Sequence, residues 1–274
     1  MTDFGLFQTV NLQMRKMLET AQSIALTPAP LLISGEQGVG KTLLVKFILE
    51  KAHFQKTLHR WERGISSLQD GDAILIENIS DLNLLQQQEL SQGMDEVKQR
   101  GRRVRWIATC GEVPSLAVQH QRLRKDLFYR LSVIHLQVPS LRDRSEDVLI
   151  LAEFFNQVFN LMKSRQPQRL TESAKTKMIA YGWPGNISEL ENVIERAVSF
   201  SEGEEIRDTA IEFFQMDTHI LPSVGTTLSD MERKLILQTL QLTQQNKTRA
   251  AQILGISIRT LRNKLNEYRE AGVI

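Results

Sequence analysis

Eight consecutive residues, Gly35-Glu36-Gln37-Gly38-Val39-Gly40-Lys41-Thr42, fit the spacing G-x-x-x-x-G-K-[ST]. Glycines in such a loop let backbone N–H groups close around phosphate oxygens at the start of a helix. Lys41 would hold the outer phosphates and Thr42 a magnesium ion. The flanks suit that task, because apolar Leu31-Leu32-Ile33-Ser34 leads into the loop and an amphipathic stretch, Leu43 to Lys51, leaves it. All eight residues are candidate contacts for ATP or ADP with Mg2+. The next buried run, Ala73-Ile74-Leu75-Ile76, ends in Glu77-Asn78, where a nucleotide hydrolase normally places Asp-Glu. The chain reads as built to bind ATP and poorly equipped to split it.

A second cluster lies near the C-terminus. Between Asn246 and Glu270 the basic residues are Lys247, Arg249, Arg259, Arg262, Lys264 and Arg269, against the acidic Glu267 and Glu270. The whole 274-residue chain carries a formal charge of only +2, so positive charge is concentrated here. A short helix is expected from Lys247 to Leu254, stopped by Gly255. A further helix would start after Ser257, its N-cap. Two helices joined by a tight glycine turn form a helix-turn-helix, which places its second helix in the major groove of DNA. Leu261, Leu265 and Tyr268 share the face that would pack inward. Ile258, Arg259, Arg262 and Asn263 point elsewhere, where Arg can bond guanine, Asn adenine and Ile a thymine methyl. With Lys247, Arg249, Ser257 and Lys264 they are the candidate contacts to double-stranded DNA. Ser229 and Glu232 have the spacing of a capping box opening a preceding helix with Met231, Leu235, Leu237 and Leu240.

Other elements must position the loop. Residues 10–27 have helical spacing, with Pro28 and Pro30 ending the helix. Further strands are expected at 104–109 and 133–138, and helices at 84–99 and 123–131. This alternation implies an α/β fold with a parallel sheet covered on both faces. From Glu146 onward the strand signal stops. Helices are expected at 147–162, 171–180 and 187–201, broken by Trp183-Pro184-Gly185. The expected organisation is an α/β nucleotide-binding unit at 1–144, a small helical unit at 145–217, a linker at 218–226 and the helix-turn-helix at 227–274.

Composition sets bounds on the rest. A hydrophobic fraction of 41% with 24% charged residues describes a soluble globular chain. No apolar run approaches the roughly 20 residues of a membrane helix, and no secretion signal is evident. The single cysteine, Cys110, rules out an internal disulfide framework and a Cys-rich zinc site. A reducing cytoplasm is the expected compartment, with no membrane partner.

Several stretches together resemble the NtrC-type, sigma-54-interacting AAA+ enhancer-binding regulators that end in a Fis-type helix-turn-helix. These are Gly35–Thr42, Leu123–Leu131, Pro139–Asp147, Tyr181–Asn192 and Asn246–Ser257, and the likeness covers nearly the whole chain. It implies a P-loop AAA+ domain with a small helical lid, and DNA, a dimer or ring, and RNA polymerase as partners. No receiver domain is expected ahead of residue 10. Arg124 and Arg130 match two arginines that the family inserts into a neighbouring subunit's nucleotide site, where such fingers stabilise a transferring phosphate.

The departures from the family decide the expected activity. Only 35 residues separate Lys41 from Glu77, and nothing in residues 52–72 matches GAFTGA, the loop that touches the sigma factor. The second remodelling loop, between Gln92 and Val104, also looks shortened. The basic run Lys98, Arg100, Arg102, Arg103 and Arg105 occupies that region and reads as a solvated turn. Family register puts Glu77 at the magnesium-linked Asp and Asn78 at the catalytic Glu. An amide cannot take a proton from the attacking water, and such general-base help is typically worth about 10²–10⁴-fold. The polar residue after the fourth strand falls at Cys110 or Gly111, and the lid arginine is replaced by Ser188. The expectation is a DNA-binding transcriptional regulator that binds nucleotide, hydrolyses it weakly or not at all, and so does not read as a working enzyme. Two alternatives stay open: a sigma-54 activator ATPase with an unconventional loop, and a partner lending Arg124 and Arg130 to an active homologue.

Overall fold

The structure is a computed structural model that describes residues 7–52, 57–61, 68–201, 203–213, 227–243 and 246–270. They fall into two compact units, divided between Phe213 and Phe214.

In the first unit, α1 (Leu12–Ser23) starts at Asn11, whose side chain accepts from Met14 N, and buries Met14, Met17 and Ala21. It is shorter than expected at both ends, since a turn takes over at Ile24 before the prolines. Next come β1 (Leu31–Ser34), α2 (Lys41–Lys51), β2 (Leu58–Arg60), β3 (Ala73–Ile76), α3 (Leu84–Gln99), β4 (Arg105–Cys110), α4 (Pro114–Gln119), α5 (Lys125–Leu131) and β5 (Ile134–Gln137). All sheet pairings are parallel, in the order β2-β3-β4-β1-β5.

The three central strands β1, β3 and β4 are buried on both faces, which is why they read as continuous apolar runs. Alternate residues split between two cores. Leu31, Ile33, Leu75 and Ile107 pack with α1 and α2, while Leu32, Ile74, Ile76 and Ala108 pack with α3 and α5. A parallel sheet presents all its strand C-termini at one end, and that end carries Gly35, Glu77 and Cys110 together.

Sequence patterning did not anticipate β2 or α4. The strand β2 is an exposed edge of three residues, too short for an alternation to be read. The basic run also departs from a solvated turn. Arg105 is buried in β4 and donates to the carbonyls of Ala25 and Ile24, and Arg102 bonds Leu68 O. Arg103 pairs with Asp70 at 3.0 Å.

The lid follows as α6 (Asp147–Met162), β6 (Arg169–Leu170), α7 (Glu172–Ala180), α8 (Asn186–Phe200) and β7 (Glu205–Ile206). The two-residue β6 and β7 pair in parallel, so the lid is not purely helical as expected. Trp183 is fully buried, donates its indole N–H to Met178 O, and packs edge-on against Tyr181 and Phe213. The turn Trp183-Pro184-Gly185-Asn186, closed by Asn186 N donating to Trp183 O at 2.8 Å, leads into α8, and its two end residues take the left-handed φ of 48° and 54°.

The second unit holds α9 (Leu228–Leu242), α10 (Lys247–Leu254) and α11 (Ile258–Glu270). Asn246 caps α10 by accepting from Arg249 N, and Gly255 ends it at φ 66°. Ser257 caps α11, accepting from Thr260 N at 3.0 Å. The expected box at Ser229 is displaced: Thr227 accepts from Asp230 N and donates to the Asp230 carboxylate. On α9, Ile236 and Leu240 are buried while Leu235, expected on the apolar face, is exposed. They join Ala250, Ala251, Leu261, Leu265 and Tyr268 in one small core. The expected linker, 218–226, lies outside the described residues.

Candidate nucleotide site and DNA-reading helices

At the C-terminal end of β1 the chain turns through Gly35, Gly38 and Gly40, at φ of 151°, 78° and 96°. The last two lie where a side chain strains the backbone, so glycine is what lets this loop form. Gly35 N is anchored on Cys110 O. Lys41 and Thr42 then open α2. The largely buried Lys41 ammonium donates to Gly35 O and Glu36 O, both at 2.8 Å, and burial pushes its pKa down. It is held at the loop mouth, where an incoming phosphate would compete for it.

Across from the loop, Thr42 Oγ1 donates to Glu77 Oε1 at 3.3 Å. The other carboxylate oxygen, Oε2, lies 3.2 Å from Arg60 Nη1. A hydroxyl and a carboxylate so placed fit a hydrated divalent cation. Asn78 follows at φ 47° and its N–H donates to Thr109 Oγ1 at 2.9 Å. Gly111 comes near it too, since a Cβ there would lie 3.8 Å from Asn78 Oδ1. Cys110 is fully buried, with its thiol 3.8 Å from Ser80 Oγ. The loop and Glu77 therefore fit a metal–polyphosphate, whereas the amide of Asn78 does not fit a general base.

The lid sits directly on this loop. Ile187 N and Ser188 N donate to Gly38 O at 3.0 and 3.3 Å, so a loop carbonyl satisfies two of the unpaired N–H groups in the first turn of α8. Asn186 is wholly buried. It accepts from Leu141 N and donates to Glu36 Oε2 and Gln37 O. Arg142 grips Glu36 with both terminal guanidinium nitrogens, Nη1 and Nη2, and its hydrogen bonds hold the Glu36 carboxyl below the usual carboxylate range against burial. Arg144, also buried, reaches Val39 O at 3.4 Å. Asp147 receives Thr9 Oγ1 at 2.5 Å and Val10 N at 2.9 Å, which pins the N-terminal segment to α6. Glu189 closes the turn by accepting from Gly185 N and the Tyr181 hydroxyl. Desolvation, reinforced by Glu189, pushes that hydroxyl's pKa up to about 12.

Of the residues singled out from sequence, Gly35–Thr42, Glu77 and Asn78 converge here. Arg124 and Arg130 do not, and each is engaged within the chain. Arg124 pairs with Asp126 at 3.0 Å, and Arg130 bonds Ser91 O and pairs with Asp95 at 2.7 Å. Sequence reasoning missed Asn186, Arg142 and Thr109 as parts of the site, and Arg60 as the neighbour of Glu77. The first two lie in stretches that carried the resemblance, which is the signal that could have found them. Arg60 left no such trace.

In the second unit Lys247, Arg249, Ser257, Ile258, Arg259, Arg262 and Asn263 are exposed around α10 and the start of α11. Lys264 stands apart. Its ammonium is 2.9 Å from Glu232 on α9 and 3.8 Å from Glu267, a surface ion pair with the neighbouring helix.

A parallel five-stranded sheet with a P-loop at its C-terminal edge and a helical lid on that loop defines the AAA+ class. Comparison with known families agrees. Residues 10–141 match the sigma-54 interaction domain, 142–217 the AAA+ ATPase lid domain, and 227–268 the bacterial regulatory protein, Fis family. The chain is 32% identical to transcriptional regulatory protein FlbD of Caulobacter vibrioides, over 95% of this chain and 70% of FlbD. It is 31% identical to regulatory protein AtoC of Escherichia coli, over 93% of this chain and 66% of AtoC. The FlbD alignment runs over 316 positions, more than the 274 residues of this chain, so FlbD carries segments that this chain lacks. Among solved structures, NtrX from Brucella abortus in complex with ADP matches with a TM-score of 0.65 at 20% identity, over 94% of this chain and 68% of NtrX. The Thermotoga maritima RuvB branch migration motor matches with a TM-score of 0.55 at 17% identity, over 94% of this chain and 88% of RuvB. The chain belongs to the sigma-54-interacting family of AAA+ transcriptional regulators with a Fis-type helix-turn-helix.

Proposed function

We propose that this regulator binds ATP or ADP, with Mg2+, as a switch for assembly and lid position rather than as fuel. Residues 227–274 read specific double-stranded DNA, and residues 1–144 and 145–217 form the nucleotide-binding unit and its lid. Gly35–Thr42 hold the phosphates, Lys41 neutralises the outer ones, and Thr42 with Glu77 holds the metal's water. A bound Mg–nucleotide would supply an electrophilic phosphoryl group, and the amide at position 78 offers the attacking water no base. The observation that carries this reading is Asn78 at the end of β3, beside an intact loop. The altered Glu77 and Ser188, and the absence of a GAFTGA sequence between Lys41 and Glu77, support it.

On this reading a ligand seated between loop and lid stabilises the associating form by mass action, without turnover. Arg124 and Arg130 would leave Asp126 and Asp95 only on meeting a neighbour, either another copy or a homologous regulator. RNA polymerase would then be engaged through that assembly. The compartment proposed is the cytoplasm, in keeping with the absence, among the described residues, of a helix long and apolar enough to cross a membrane. Steady phosphate release at saturating ATP, with and without DNA, tests the proposal. Release at the rate of a homologue carrying Asp-Glu would overturn the weak-hydrolysis reading.

A further inference from the structure

Arg60 stands on the edge strand β2, and the strand itself sets its place. The parallel register pairs it with Leu75, and Trp61 N donates to Leu75 O at 3.0 Å. Leu75 lies two residues before Glu77, so the guanidinium reaches the end of β3 from the side. There one carboxylate joins two partners: Oε2 lies 3.2 Å from Arg60 Nη1, and Oε1 accepts from Thr42 Oγ1 at 3.3 Å. The Arg60 and Glu77 side chains are 64% and 36% exposed, so neither is sealed from an incoming ligand.

We propose that Arg60 is a built-in cation of the nucleotide site that competes with divalent metal for Glu77 and so lowers the site's dependence on magnesium. The inference rests on reading Gly35–Thr42 as an ATP- or ADP-binding loop. A guanidinium stays charged at every ordinary pH and presents a planar fork that suits carboxylate and phosphate alike. Magnesium approaching Thr42 and Glu77 would meet a carboxylate already paired with a cation. Its gain there is smaller than at an unpaired carboxylate. When metal is scarce, the same guanidinium would supply countercharge beside Glu77 and Thr42. Arg60 thereby decides how well the site distinguishes metal-bound from metal-free nucleotide.

The test is binding of a fluorescent ATP analogue to the full chain, followed by anisotropy in excess Mg2+ and in EDTA. Wild-type affinity is expected to differ less than about threefold between the two conditions. For Arg60→Ala the loss in EDTA should be about tenfold or more, the scale of one charge-assisted hydrogen bond. Arg60→Lys keeps the charge but not the fork and should fall between them. Equal metal dependence in wild type and Arg60→Ala overturns this inference and leaves the nucleotide site standing. No binding by any protein in either condition overturns the nucleotide reading itself. Should Arg60→Ala not fold, Arg60→Lys decides: greater EDTA sensitivity than wild type supports the inference, and wild-type behaviour overturns it.

Discussion

Gly38→Ala is the sharpest way to ask whether the lid rests on the phosphate loop. Gly38 has φ 78°, and a Cβ there would come within 2.2 Å of Gly185 O and 3.3 Å of Ser188 Cβ. Gly40 is a matched control at φ 96°, because its Cβ would meet only Ile187 Cδ1, at an ordinary 3.7 Å. Both substitutions put alanine in a left-handed backbone, at about 1–2 kcal/mol each. Only Gly38→Ala must also push the lid turn away, which breaks the bonds from Ile187 N and Ser188 N to Gly38 O. At about 1 kcal/mol each, these make Gly38→Ala worse than Gly40→Ala by about 2 kcal/mol. For a unit of this size that is a further fall in Tm of about 4–8 °C, read by differential scanning calorimetry. Equal melting of the two variants would refute a lid seated on the loop.

Three further outcomes are expected. Asn78→Glu restores a carboxylate just past the end of β3 and should raise phosphate release about a hundredfold, the lower end of the roughly 10²–10⁴-fold range for a general base. No rise in a phosphate-sensor assay would show that position 78 is not what limits hydrolysis. In the DNA-reading unit, Arg262→Ala should relax sequence choice in a competition-binding assay, while Lys247→Ala weakens all sequences alike. With Lys264 held by Glu232, the salt dependence should have a log–log slope of roughly −4, from Lys247, Arg249, Arg259 and Arg262. The Glu36 carboxyl is held below its ordinary value of 4.5 chiefly by Arg142, so its folded pKa is the lower one. Its contribution is therefore complete above pH 4.5 and is lost as pH falls through the depressed folded value. Melting curves between pH 6 and 3 should show a steeper acid decline in wild type than in Arg142→Gln.

Much of this was legible because local chemistry announces itself. The P-loop glycines, the doubly buried strands and the cap residues Asn246, Ser257 and Gly255 each have a short-range cause, and the structure has the elements they imply. What sequence could not give is contact between distant residues. Asn186 meets Glu36 from 150 residues away, Lys264 turns to Glu232, and Arg105 is drawn into the core by Ala25 O. The short edge β2 has no period to detect, so nothing in the sequence singles out Arg60. Thr227 takes the place of Ser229 as the cap of α9, and residue spacing alone does not rank two hydroxyls two positions apart.

The central claim, that the site keeps its nucleotide intact, is tested most directly by what happens to ATP already bound. Labelled ATP is loaded onto the purified chain, free nucleotide is removed, and the bound label is recovered over an hour and separated. The account predicts retention that Lys41→Ala abolishes, with the label still recovered as ATP. Recovery as ADP within the first minutes, or retention unchanged in Lys41→Ala, would contradict it.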